Sequence, residues 1–133
     1  MDIPSRDMSI QSSQDIVLVR QEVRKFAVEL GFSLVEQTKI VTAASELARN
    51  TLEYGGGGSV KLQALQNGMR RGIQLIFEDS GPGIPDIELA LKDGYTTGSG
   101  LGMGLGGAKR LVNEFNIISR VGEGTCVTII KWK

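Results

Sequence analysis

The spacing of apolar positions alternates between a three-to-four-residue and a two-residue period along this chain, and the changes mark out its elements. Ile16, Val19, Val23, Ala27 and Leu30 recur at three- and four-residue intervals. They predict a helix that Ser12 or Ser13 caps and Gly31 stops. A second helix follows at once: Ser33 with Glu36 forms a capping box, and Ile40, Ala44, Leu47, Ala48 and Thr51 form one buried stripe until Gly55 to Gly58 end it. Ahead of both helices, Met1 to Asp7 is polar and expected to fray, while Met8-Ser9-Ile10 reads as a short edge strand.

Downstream the period shortens to two. Val60, Leu62 and Ala64, then Ile73, Leu75 and Phe77, flank the turn signal Asn67-Gly68 and predict a hairpin. Asp79 ends its second strand, and Pro82 and Pro85 forbid continuation. Ser80 to Gly104 then reads as a long loop with a short helical turn near Ile87 to Leu91, the length typical of a lid, a binding loop or a disordered linker. Leu105, Ala108, Leu111, Val112 and Phe115 predict a third helix stripe, and Asn116 to Val121 with Thr125 to Trp132 a second hairpin around Gly122-Glu123-Gly124. The order αα, ββ, lid, α, ββ favours an α+β domain with helices on one face of the sheet.

Length and composition narrow the function. At 133 residues the chain is expected to be one domain. Fifteen basic residues balance fifteen acidic ones, so no net field favours nucleic acid or an anionic membrane. No apolar run approaches the ~20 residues that span a bilayer, no signal peptide is evident, and the single cysteine, Cys126, has no intrachain partner. A cytoplasmic location is therefore expected, with Cys126 as an inert core residue. The absence of histidine excludes a Ser-His-Asp hydrolase, a histidine-ligated zinc enzyme and an autophosphorylating histidine kinase.

Candidate chemistry gathers around two glycine-rich stretches and one helix. Glu46 and Asn50 are four apart and project from the same side of the second helix; the alternative is a pair of ordinary solvated helix residues. Together with a nucleotide, Asn50 offers a neutral oxygen for Mg²⁺ and Glu46 a carboxylate able to deprotonate a nucleophile. Asp79 can accept from the amino group of adenine, whereas the guanine carbonyl would leave acceptor against acceptor, at order 1 to 3 kcal/mol. The alternative for Asp79 is a simple Asx turn at a strand end. Gly98, Gly100, Gly102, Gly104, Gly106 and Gly107 precede a helix, let backbone approach an anion and permit hinging; Leu101, Met103 and Leu105 distinguish the run from a solvated linker. The run contains a literal GxGxxG, but it follows a loop and lacks the later acid of a dinucleotide fold. Lys109 and Arg110 read equally as phosphate contacts or solvated helix residues.

Ser45-Glu46-Leu47-Ala48-Arg49-Asn50, Asp79-Ser80-Gly81-Pro82-Gly83-Ile84-Pro85 and Gly100-Leu101-Gly102-Met103-Gly104-Leu105 resemble the nucleotide boxes of the GHKL (Bergerat-fold) ATPase superfamily. Over nearly its whole length the chain further resembles the small anti-sigma-factor serine-protein kinases, and among them the stressosome switch kinases. Arg20-Gln21-Glu22, Glu29-Leu30-Gly31-Phe32, Gly122-Glu123-Gly124-Thr125 and Lys131-Trp132 strengthen that likeness.

The resemblance implies a two-layer α/β sandwich over residues 1–133, with a mixed, mostly antiparallel sheet and an ATP lid at residues 84–104. It implies ATP or ADP with Mg²⁺, Asn50 as metal ligand, Glu46 as base, Asp79 on adenine and Thr125 in the adenine-side water network. Gly81 and Gly83 would let backbone pass the base, and Gly98, Gly100, Leu101, Gly102, Met103, Gly104 and Leu105 would form the lid side of the site. The implied activity is transfer of the ATP γ-phosphate to serine or threonine of a STAS-domain antagonist or scaffold, in a partner-switching pathway that releases the kinase to activate a PP2C-type phosphatase. The alternatives are an anti-sigma factor that binds a sigma factor in a nucleotide-dependent way, and an ATPase with no protein substrate. Glu53-Tyr54 and the four glycines after it depart from the histidine-bearing helix end common in the anti-sigma relatives, which makes sigma binding the lesser expectation.

Overall fold

Capping decides where the two long helices begin. In the computed structural model, which describes residues 4–91 and 104–133, a short strand β1 (Arg6–Ile10) leads into α1 (Ser13–Glu29) and then α2 (Leu34–Glu53). Ser12 Oγ accepts the Asp15 amide at 3.3 Å while the Asp15 carboxylate accepts the Gln11 amide at 2.9 Å, so two helix-end donors are satisfied reciprocally. Gly31, with φ of 83°, makes the left-handed turn that separates the helices. Ser33 Oγ accepts the Glu36 amide at 3.2 Å, but the Glu36 carboxylate reaches Lys131 Nζ at 2.6 Å instead of closing the box. β1 takes in Arg6 and Asp7, within the stretch expected to fray, because it pairs with the next strand and Arg6 meets Glu22 at 3.1 Å.

The remaining elements are β2 (Gly58–Asn67), β3 (Arg70–Asp79), the single turn α3 (Ile87–Ala90), α4 (Gly104–Arg110), β4 (Glu114–Arg120) and β5 (Gly124–Trp132). Gly68, φ 64°, is the first central residue of the two-residue turn between β2 and β3. Among the described residues five strands lie in the order β1-β2-β3-β5-β4, and each of their pairings is antiparallel. Val60, Leu62 and Ala64 oppose Phe77, Leu75 and Ile73, which in turn oppose Val127, Ile129 and Lys131. These residues form the face that the helices cover, with Leu75, Leu62 and Ile129 fully buried. Each such burial contributes about 1.5 to 3 kcal/mol.

Two expectations are corrected. The third helix stops at Arg110, and Phe115 belongs to β4. Asn113 causes the switch: its amide donates to Ile130 O at 3.0 Å and its side-chain oxygen accepts the Trp132 amide at 2.8 Å, so the chain joins the edge of β5 before a further helical turn can form. Cys126 is not a core residue. It shares its sheet face with Thr128 and Ile130, away from the helices, and is half-buried, with its thiol pKa raised by burial and by nearby Glu78.

Candidate nucleotide site

One row across the sheet carries most of the site. Gly58, Asp79, Thr125 and Ser119 are register partners in β2, β3, β5 and β4, at the end of the helix-covered face. Strand alternation puts Asp79 on the same side as Phe77, so a carboxylate closes an otherwise apolar column. Its Oδ1 accepts the Gly81 amide at 2.9 Å and the Thr125 amide at 3.3 Å. The first bond is the Asx turn; the carboxylate also lines a pocket, so the turn and a ligand-facing position coexist in one side chain.

Glycines make the close packing around this acid possible. A Cβ on Gly55 would stand 2.5 Å from Asp79 Oδ2, and one on Gly81 would stand 2.7 Å from the Gly55 carbonyl oxygen. Gly83, φ 78°, leaves no room for a Cβ against the Arg120 carbonyl. The loop after β3 is thus wedged between the end of α2 and the end of β4. Tyr54, just past α2, donates its hydroxyl to Gly83 O at 2.7 Å, and Ser119 Oγ accepts the Ile84 amide at 2.7 Å. Ser119 and Thr125 share a hydroxyl–hydroxyl hydrogen bond of 2.7 Å, which ties the loop to the adjoining strands.

The pocket encloses about 480 Å³ including its open mouth. Leu47, Phe77, Ile84, Ala90, Leu105 and Val127 supply apolar walls, Asp79 an acceptor, and Asn50, Thr51, Tyr54, Gly104 and Thr125 the other lining. Apolar surfaces with one fixed acceptor suit a flat heteroaromatic ring bearing an exocyclic amine. Asn50 lies on the same wall as Leu47 and Thr51, one turn before Tyr54, and offers a neutral oxygen to a cation. A lone carboxamide suits Mg²⁺, which usually keeps waters and takes few protein ligands beside phosphate oxygens. Among the described residues no cluster of three or more acidic, histidine or cysteine side chains forms a dedicated metal cage.

Glu46 lies beside this pocket and outside its lining, one turn before Asn50, with its side chain only 12% exposed and facing Arg49. Gly104 and Leu105 are buried at the start of α4, whose last turn carries Lys109 and Arg110. Gly98, Gly100, Leu101, Gly102 and Met103, with the part of the expected lid at residues 92–103, lie outside the described residues. Sequence reasoning missed Tyr54, Gly55 and Ser119 as site residues. The glycine run after Tyr54 was a visible signal for Gly55, whereas nothing local points to Ser119.

A two-layer domain whose largely apolar pocket is lined by one acid, Asp79, and a helix-borne carboxamide, Asn50, fits the class that the family comparison shows: the chain belongs to the histidine kinase-, DNA gyrase B- and HSP90-like ATPase family, whose model matches residues 35–133. At closer range it is similar to serine/threonine-protein kinase RsbT of Bacillus subtilis, 48% identical over 123 residues that make up 92% of each chain. The anti-sigma F factor of Anoxybacillus flavithermus is 33% identical over 126 residues, covering 90% of this chain and 85% of the relative. Among solved structures, the RsbU and RsbW domains of Rv1364c from Mycobacterium tuberculosis share the fold with a TM-score of 0.65 at 23% identity, across 98% of this chain and 33% of that one. The mycobacterial sensor histidine kinase MprB shares it with a TM-score of 0.58 at 18% identity, across 97% of each. No described helix is long and apolar enough to cross a membrane.

Proposed function

We propose that this chain is an ATP-dependent serine/threonine-protein kinase that phosphorylates a STAS-domain antagonist or scaffold protein and, once released, activates a PP2C-type phosphatase from the cytoplasm. The observation that supports the reading is that Asp79 and Asn50 line one pocket, which would set an acceptor at its purine end and a carboxamide oxygen toward the phosphates. Similarity to RsbT supports the reaction type. Asp79 Oδ2 would accept the adenine amino group, Gly81 and Gly83 would let backbone pass the base, and Thr125 would hold the water network beside it. Asn50 would hold Mg²⁺, which supplies charge neutralisation at the phosphate oxygens. Glu46 would take the proton from the incoming hydroxyl as its oxygen bonds to the γ-phosphorus and the bond to the ADP oxygen breaks. Such transfer depends mainly on positioning and electrostatics.

The test is incubation of the purified chain with γ-labelled ATP and STAS-domain proteins encoded beside its gene, followed by mapping of the labelled residue. Label on serine or threonine is expected. Glu46→Gln should keep ATP binding and lose about 10²- to 10⁴-fold in transfer. Phosphate release without labelled protein would instead mark an ATPase.

A second reading draws on similarity to the anti-sigma F factors. In it, nucleotide switches affinity for a sigma factor. Capture of a sigma factor with inhibition of transcription would favour it over the switch kinase.

A further inference from the structure

Glu46, Arg49 and Glu53 are spaced three and four apart on α2 and therefore share one helix face. Arg49 Nη1 stands 3.4 Å from Oε1 and 3.3 Å from Oε2 of Glu46, while Arg49 Nε stands 3.8 Å from Glu53 Oε2. Exposure rises outward, from 12% for the Glu46 side chain to 44% for Arg49 and 40% for Glu53. The guanidinium thus reaches a mostly buried carboxylate and makes a longer ion pair with Glu53 one turn on. One nitrogen set nearly equidistant from both oxygens restricts rotation of the Glu46 carboxylate. A base acting on a docked hydroxyl needs such restriction, because misplacement by an ångström can cost about 100-fold in rate.

Charge supplies a second argument. A carboxylate working beside a triphosphate faces strong repulsion in a site that excludes water. Arg49 touches Glu46 and precedes Asn50 directly in the chain, where a fixed positive charge offsets that repulsion.

We propose that Arg49, braced by Glu53, is a positioning residue for phosphoryl transfer: it orients Glu46 and offsets its charge beside the phosphates. The inference rests on the reading of Glu46 as base. Transfer of γ-labelled phosphate to the STAS-domain protein is measured for the parent chain, Arg49→Ala, Arg49→Lys, Glu46→Gln and the Arg49→Ala/Glu46→Gln pair, with calorimetric ATP affinity and thermal unfolding for each. Arg49→Ala should lower kcat about 10- to 100-fold while leaving ATP affinity within about twofold and the chain folded at the assay temperature, as thermal unfolding reads. Arg49→Lys should recover part of the loss. On the Glu46→Gln background, Arg49→Ala should have an effect of about twofold or less, since the two act as a unit.

An undiminished Arg49→Ala effect on that background would overturn the proposal, as would a parental kcat or a loss confined to ATP affinity. If Glu46→Gln is impaired and Arg49→Ala is not, the base assignment stands and this inference alone fails. If Glu46→Gln transfers at the parental rate, or no partner is labelled by the parent chain, both fall.

Discussion

The Thr125 amide donates to Asp79 Oδ1 at 3.3 Å across the β3–β5 pair, and the Gly81 amide donates to the same oxygen at 2.9 Å. One carboxylate oxygen is thereby committed to protein. On the proposed reading the other oxygen would accept from the ligand, and backbone amides hold the carboxylate in place.

Asp79→Asn tests that division. The amide oxygen can keep both backbone donors, so unfolding should stay close to that of the parent chain. An NH₂ would then stand where adenine presents its own amino group, donor against donor. ATP affinity should fall about 5- to 150-fold, from an unpaired-group penalty of about 1 to 3 kcal/mol, by calorimetry in millimolar magnesium. Equal dissociation constants would remove Asp79 from base recognition.

Gly55→Ala should damage the site from behind. The added Cβ would press on the Asp79 carboxylate, 2.5 Å from Oδ2. Overpacking of this kind costs about 1 to 3 kcal/mol, and denaturant titration should show that loss together with weakened ATP binding. Gly56→Ala meets no neighbouring atom but requires an alanine at φ 76°; it should lower stability while sparing ATP affinity in the folded fraction.

Tyr54→Phe removes the hydroxyl that donates to Gly83 O. Leaving a partly buried carbonyl without its donor costs about 1 to 3 kcal/mol. The expected readout is faster amide exchange in residues 80–84 and weaker ATP binding, with unaltered helical circular dichroism.

Glu36 and Lys131 give a pH dependence of known sign. The hydrogen bond from Lys131, aided by the charges of Lys131 and Lys39, holds the Glu36 carboxyl below its ordinary value of 4.5. A depressed folded-state pKa stabilises the fold above the ordinary value, and the contribution is lost as pH falls through the lower one. Lys131→Met should therefore flatten the acid limb of stability against pH below 4.5, as read by urea midpoints across that range. At neutral pH the change should be small, because methionine fills the same buried space and Glu36 keeps access to water.

The parts legible in the sequence were those governed by local spacing. Glu46 and Asn50 share a helix side because four residues separate them, and Asp79 stands out because an acid interrupts an apolar alternation. Gly31 and Ser33 marked the helix boundary through backbone conformation and capping. What escaped notice depends on contacts between distant segments. Phe115 fits a helical stripe as well as a strand, and only the pairing of Asn113 with Ile130 and Trp132 decides between them. Tyr54 and Ser119 acquire their roles from a loop roughly thirty residues away in either direction, which no local period can reveal. Cys126 lies in an apolar run, yet strand alternation turns it to the uncovered face.

The tether from Tyr54 to Gly83 joins the end of α2 to the loop that follows β3. On the proposed reading, a partner protein that shifted the end of that helix would change nucleotide affinity through this bond. Thermodynamic reciprocity then requires the bound nucleotide to alter the partner's affinity by the same factor.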